Sequence, residues 1–245
     1  MEWFAMKVGA TCAPGVQRSA KRYGGRCTFP FSQCTPPVST AIARNISTSG
    51  GVCESLSAHW ILHHANNDSL WNWLYTNGQV NLSRLNAQVM ELQSRGILSD
   101  DQDALTENWL RENGLLRRHN SFVLNPTRQL GSFRMQFQGG AQPKKQDGRT
   151  GVLDRNALVR AILYDDTAGA GQYKKLGLQG NAGAHAMALW VAQDVAFFDP
   201  NFGEFWFENP SDFSRWFTQS FWYRSLYAFG LSGNFELFPY AKSVN

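Results

Sequence analysis

The spacing of apolar residues divides the chain into two parts of different period. Between residues 53 and 116 the apolar positions recur at helical spacing. Residues 53 to about 66 read as one helix, with Ser57, Trp60 and His64 following Cys53 on a common face and Asn66-Asn67-Asp68 closing it. Leu82, Leu85, Val89 and Leu92 form a second stripe, with Asn81 where a cap belongs and Gly96 at a left-handed end. Residues 100–116 repeat the pattern through Leu105, Trp109 and Leu110, while the aromatic run at 70–75 fits either kind of element. After Arg118 the period shortens. Residues 121–124 and 132–138 read as strands, 139–151 as a glycine-rich loop and 153–164 as one more helix. Strands then follow at 173–178, 185–192, 195–199 and 202–207; Asn209-Pro210 opens a helix reaching about Trp222, and 235–238 reads as a last strand. Helices first and antiparallel strands later predict an α+β protein with a cleft between its two halves.

Residues 1–46 stand outside this order. Pro14, Pro30, Pro36 and Pro37, with Gly15, Gly24 and Gly25, interrupt any apolar period and predict a loosely structured lead-in before a folded domain at 47–245. With 245 residues, 43% of them apolar and 17% charged, the chain has ample material for a core. The net charge of +4 is scattered over Lys21-Arg22, Arg117-Arg118, Lys144-Lys145 and Lys174-Lys175. A phosphate-tracking surface needs clustered cations, so no nucleic-acid partner is expected. No run approaches the ~18 apolar residues of a membrane span, although Lys144, Lys145 and Arg149 leave room for peripheral contact with an acidic surface. Residues 1–7 lack a basic leader and an apolar run, so no cleavable signal peptide is expected, and Glu2 excludes the Met-Gly start of direct myristoylation. Cysteines at 12, 27, 34 and 53 include no C-x-x-C pair, which favours reduced thiols over a disulfide framework and implies neither metal nor cofactor.

The candidate chemistry begins at Gly50-Gly51-Val52-Cys53, where a glycine turn delivers a cysteine to a helix start. Unpaired N–H groups and the positive end of the backbone dipole favour a thiolate there. A cysteine nucleophile needs a base, and the base needs a group to orient it. His185, among small residues at the start of an apolar strand, and Asp199, in Phe197-Phe198-Asp199-Pro200-Asn201-Phe202-Gly203, are the candidates. Two antiparallel strands joined at Gln193-Asp194 bring the start of one beside the end of the other. His59 and His63 stand one helical turn apart, as zinc ligands do, but Trp60-Ile61-Leu62 between them supplies no glutamate for a metalloprotease.

These three motifs together, Gly-x-Cys on a helix, His185-Ala186-Met187-Ala188 and the Phe-Phe-Asp-Pro-Asn-Phe-Gly-Glu-Phe run, resemble the YopT/AvrPphB family of bacterial effector cysteine proteases. The resemblance implies a papain-like fold, with Cys53 as nucleophile, His185 as general base and then acid, and Asp199 as orienting carboxylate. It also implies delivery by a type III system into the host cytosol, a secretion chaperone, and a monomer acting on a host protein, since members cut small GTPases or receptor-associated kinases. Some relatives trim their own N-terminal segment, and a loose lead-in at residues 1–46 is expected to reach the cleft. Papain-like enzymes stabilise the oxyanion with the cysteine N–H and a side-chain amide shortly before it; Asn45, eight positions upstream of Cys53, is the candidate. Two alternatives stay open: transglutaminase or deamidase chemistry on the same triad, and a binding module with an inert cysteine.

Overall fold

The computed structural model describes residues 2–99, 101–118, 154–163 and 172–243. The strands and loop expected at 121–124, 132–138 and 139–151 lie outside them. In chain order, helix α1 (Glu2–Ser19) leads to β1 (Gly25–Phe29) and the short α2 (Val38–Ala43), and then to the central helix α3 (Cys53–Ala65). The aromatic run proves to be a helix, α4 (Leu70–Leu74), started by Ser69 Oγ accepting from the Trp71 N–H at 3.2 Å. A small hairpin, β2 (Tyr75–Thr76) and β3 (Gln79–Val80), precedes α5 (Leu82–Arg84), where Asn81 Oδ1 caps the Arg84 N–H at 3.0 Å as its position suggested.

From α5 the chain runs on through a π-helical stretch, Leu85–Met90, into α6 (Glu91–Leu98). Leu85, Val89 and Leu92 of the expected stripe are buried, but Leu82 is exposed and the helix passes through a buried Gly96 rather than ending there. Helix α7 (Gln102–Glu112), β4 (Leu115–Arg117) and α8 (Arg155–Leu163) follow, and then β5 (Gln172–Gly180), β6 (Gly183–Val191), β7 (Val195–Asp199) and β8 (Gly203–Phe207). Pro210 opens α9 (Pro210–Trp216), which continues through a second π-helical stretch, Phe217–Phe221, into α10 (Trp222–Arg224); α11 (Tyr227–Gly230) and β9 (Asn234–Lys242) close the chain.

Among the described residues, seven strands form one antiparallel sheet in the order β1-β8-β7-β6-β5-β9-β4. Period-two alternation sends its side chains into two cores. Leu176, Met187, Leu189, Phe197, Phe205 and Phe207 pack on one face against α1, α8 and the aromatic segment from Phe213 to Trp222. On the other face Tyr173, Ala188, Phe198, Phe238 and Tyr240 pack against Leu56, Trp60 and Ile61 of α3 and the helices beside it. The molecule is thus α+β, with helices packed on an antiparallel sheet.

The lead-in departs from expectation. Residues 8–46 are built into the fold: Ala13, Val16 and Ala20 are buried in the first core, and β1 pairs with β8, Cys27 opposite Phe205. Small side chains spaced three and four apart make an apolar stripe too slight to stand out against the prolines and glycines, and burial against the sheet supplies the stability that local propensity lacks.

Candidate active site

Cys53 is the first residue of α3 and is half-buried. The chain enters the helix through Gly51 at φ +116°, a backbone region that favours glycine, so the turn needs this residue to reverse into the helix. Thirteen residues of helix then point their positive end at the sulfur. Behind it, Glu54 is buried in an ion pair with Lys175, and the Ser55 N–H donates to Gln93 Oε1 at 3.1 Å.

His185 lies near the start of β6 and Asp199 ends β7. The hairpin between these strands turns at Gln193-Asp194, with Ala188 opposite Phe198, and this register brings the two side chains together. The imidazole Nε2 stands 2.9 Å from Asp199 Oδ1. With Nε2–H directed at the carboxylate, Nδ1 is the ring nitrogen left to exchange a proton elsewhere. The Cys53 side chain acts electrostatically on the same ring, and both line one cavity. Burial works against the imidazolium, but the Asp199 carboxylate and Cys53 together push His185 up to about 10. Asp199 is itself completely buried and takes two further donors: the Asn201 backbone N–H at 2.7 Å on Oδ1 and the Tyr227 hydroxyl at 3.0 Å on Oδ2.

Cys53 and His185 line a cavity of about 460 Å³. Ala184, Phe202, Leu226 and Phe229 give it apolar walls, and Val8 and Gly9 of α1 complete one side. Asn45 is not part of this lining: its Oδ1 accepts from the Ser47 N–H at 3.0 Å and starts the short helical turn Ile46–Thr48. The side-chain amides at the cavity belong instead to Gln33, Asn181 and Asn201. Gln33 lies twenty positions before the cysteine, and α2 with the turn after it folds the intervening chain away, so no short sequence spacing announces it. All four cysteines are free; burial pushes Cys34 up to about 12 and Cys27 up to about 11, and raises Cys12 as well.

A family model described as the Yersinia/Haemophilus virulence surface antigen matches residues 17–242. The chain belongs to that family. It is 36% identical over 243 residues to the cysteine protease yopT1 of Yersinia enterocolitica, covering 94% of this chain and 69% of that protein. To the cysteine protease YopT of Yersinia pestis it is 37% identical over 228 residues, covering 91% of this chain and 66% of that one. It is also 31% identical to a region of IbpA of Histophilus somni, described as a protein adenylyltransferase and cysteine protease; the match covers 93% of this chain and 5% of that protein. The solved Pseudomonas avirulence protein AvrPphB overlaps 80% of this chain and 95% of its own, at 19% identity and a TM-score of 0.49. This family member is a cysteine peptidase of the YopT virulence group, with an α+β fold.

Proposed function

We propose that this peptidase cleaves internal peptide bonds of host-cell proteins, with Cys53 as nucleophile, His185 as general base and acid, and Asp199 as the carboxylate that orients His185. One observation supports this reading above others: His185, 2.9 Å from Asp199, shares with Cys53 the wall of a cavity large enough for a substrate side chain. The Cys53 proton passes to His185 Nδ1, and the thiolate attacks the scissile carbonyl carbon. The oxyanion is met by the Cys53 backbone N–H at the positive end of α3. As the tetrahedral adduct collapses, the C–N bond breaks and His185 returns its proton to the leaving amine, which leaves a thioester on Cys53. Water enters, gives a proton to His185 and adds to the thioester; collapse expels the thiolate, releases the acid product and restores the pair.

Small GTPases and kinases remain the substrate classes implied by the family resemblance. The chain's own N-terminal segment is a further substrate of the same site, a reading supported by the position of Val8 and Gly9 in the cavity wall. Host lysate treated with wild type or Cys53→Ala, followed by identification of new protein N-termini and by intact mass of the enzyme, tests both points. Neo-N-termini and a shortened chain are expected with wild type alone. Equal cleavage by Cys53→Ala would overturn the nucleophile assignment, and release of ammonia without chain cleavage would move the chemistry to deamidation.

A further inference from the structure

Three side chains from three separate segments of the chain link around the catalytic groups. Gln33 reaches in from the segment between β1 and α2. Its Oε1 accepts the Val52 N–H at 2.9 Å, its Nε2 donates to Asn201 Oδ1 at 2.9 Å, and its own backbone N–H donates to the Pro200 carbonyl at 2.7 Å. Asn201 Oδ1 also receives the Cys34 thiol at 3.1 Å, while its Nδ2 donates to the Tyr227 hydroxyl at 3.0 Å. The Tyr227 hydroxyl donates to Asp199 Oδ2 at 3.0 Å, and its ring lies 5.4 Å from that of His185. The path therefore runs from the residue before the nucleophile, through Gln33, Asn201 and Tyr227, to the carboxylate behind the imidazole.

We propose that Gln33, Asn201 and Tyr227 are positioning residues that act as one strap, holding Val52 and Asp199 in a common frame so that Cys53 and His185 stay at proton-transfer distance. The inference rests on Cys53 being the nucleophile. Cys53 begins a helix and His185 and Asp199 sit on strands, so their registration depends on what ties helix start to strand end. Asp199 stands at the last β7–β8 pair, opposite Gly203, where the ladder stops and side chains must take over. A buried carboxylate also needs donors on both oxygens, and the strap provides the one on Oδ2. Burial raises the Tyr227 phenol well above its ordinary value, so it stays a proton donor across the working range. The titratable groups around the Cys53–His185 pair are then Asp199 of β7, Tyr227 of α11 and Cys34 ahead of α2.

Iodoacetamide alkylation of Cys53 in the full chain, read by peptide mass spectrometry, tests the strap without a substrate. Gln33→Met, Tyr227→Phe and their double variant keep side-chain bulk while opening one link or two. At about pH 6, where alkylation reports the thiolate formed against His185, each single variant is expected to react about tenfold more slowly than wild type. The double variant is expected to match the slower single one, because a strap opened at one link is already open. At about pH 9.5, where a thiol ionises unaided, all rates should converge. Gln33→Glu, which keeps the acceptor for Val52 and removes the donor to Asn201, should show the same loss should the methionine variant fold poorly. Wild-type rates in the single variants at pH ~6, or a double-variant loss equal to the product of the single ones, would overturn the proposal. A wild-type Cys53 no faster than Cys12 at that pH would remove the nucleophile, and the strap with it.

Discussion

At His185 the assignment of the two ring nitrogens decides what the residue can do. Nε2 is committed to Asp199 at 2.9 Å, so the carboxylate fixes the tautomer and leaves Nδ1 as the ring nitrogen able to take up a proton. Asp199→Asn keeps the shape but offers an amide N–H to a ring position that is already a donor. The variant is expected to fold normally by circular dichroism and to lose about 10³-fold or more in peptide cleavage, the scale seen when a triad histidine loses its tautomer. The carboxylate also helps push the imidazolium up to about 10, so the basic limb of the wild-type pH–rate profile should lie far above an ordinary histidine. In the asparagine variant that limb should move down; an unmoved limb would mean that Asp199 does not govern the proton. The proximity of His185 and Asp199 was readable from two strands and a two-residue turn, and the cysteine from glycines followed by a helix start. Gln33 and Tyr227 were not, because a polar side chain in a loop or a one-turn helix has no period, and only the folded chain brings it to its partners.

Among the elements, α3 is fixed to the sheet by a buried ion pair next to Cys53. Lys175 of β5, almost fully buried, pairs with Glu54, and it reaches Asp103 of α7 at 2.8 Å. Burial alone would lower the lysine pKa, but Glu54, with Tyr240 and Asp103, raises it, so Lys175 stays charged. Lys175→Met leaves Glu54 buried without its cation and is expected to destabilise the fold by about 3–5 kcal/mol. The double variant Lys175→Met, Glu54→Gln should recover most of that loss in urea unfolding, since the penalty arises from the stranded charge. No recovery would assign the loss to packing instead. Element boundaries were legible wherever large apolar residues kept one period, as in α3 and β7. They were lost where the period changed inside an element, in the π-helical stretches Leu85–Met90 and Phe217–Phe221, and in α1, whose buried face is made of alanine and valine.

On the scale of the whole molecule, the sheet separates two cores, and the one under α3 holds a group that titrates badly. His59 lies between Trp73 and Trp109, with ring centroids 4.9 and 4.6 Å away, and burial, with His63 beside it, lowers its pKa to about 3. The folded value lies below the unfolded one, so the neutral form is preferred in the fold. Stability should therefore be intact above about pH 6.5 and fall as the pH drops toward 3, by up to about 1.4 kcal/mol per pH unit from this residue. His185, with a raised value, contributes in the opposite sense, and its contribution is already complete below about 6.5. Urea midpoints at pH 7 and 4.5 should diverge less in His59→Phe than in wild type; an equal gap would place the acid sensitivity elsewhere. The α+β class was legible from the change of period along the chain, whereas the participation of the first residues in the fold was not. That participation bears on how the protein is prepared. Gly9 stands so close to Cys34 that a methyl group on it would lie 2.6 Å from the sulfur, and with Val8 it walls the cavity that Cys53 and His185 line. A variant carrying bulk at residue 9 would offer incoming polypeptides a differently shaped doorway, and preferences measured with it would belong to that doorway alone.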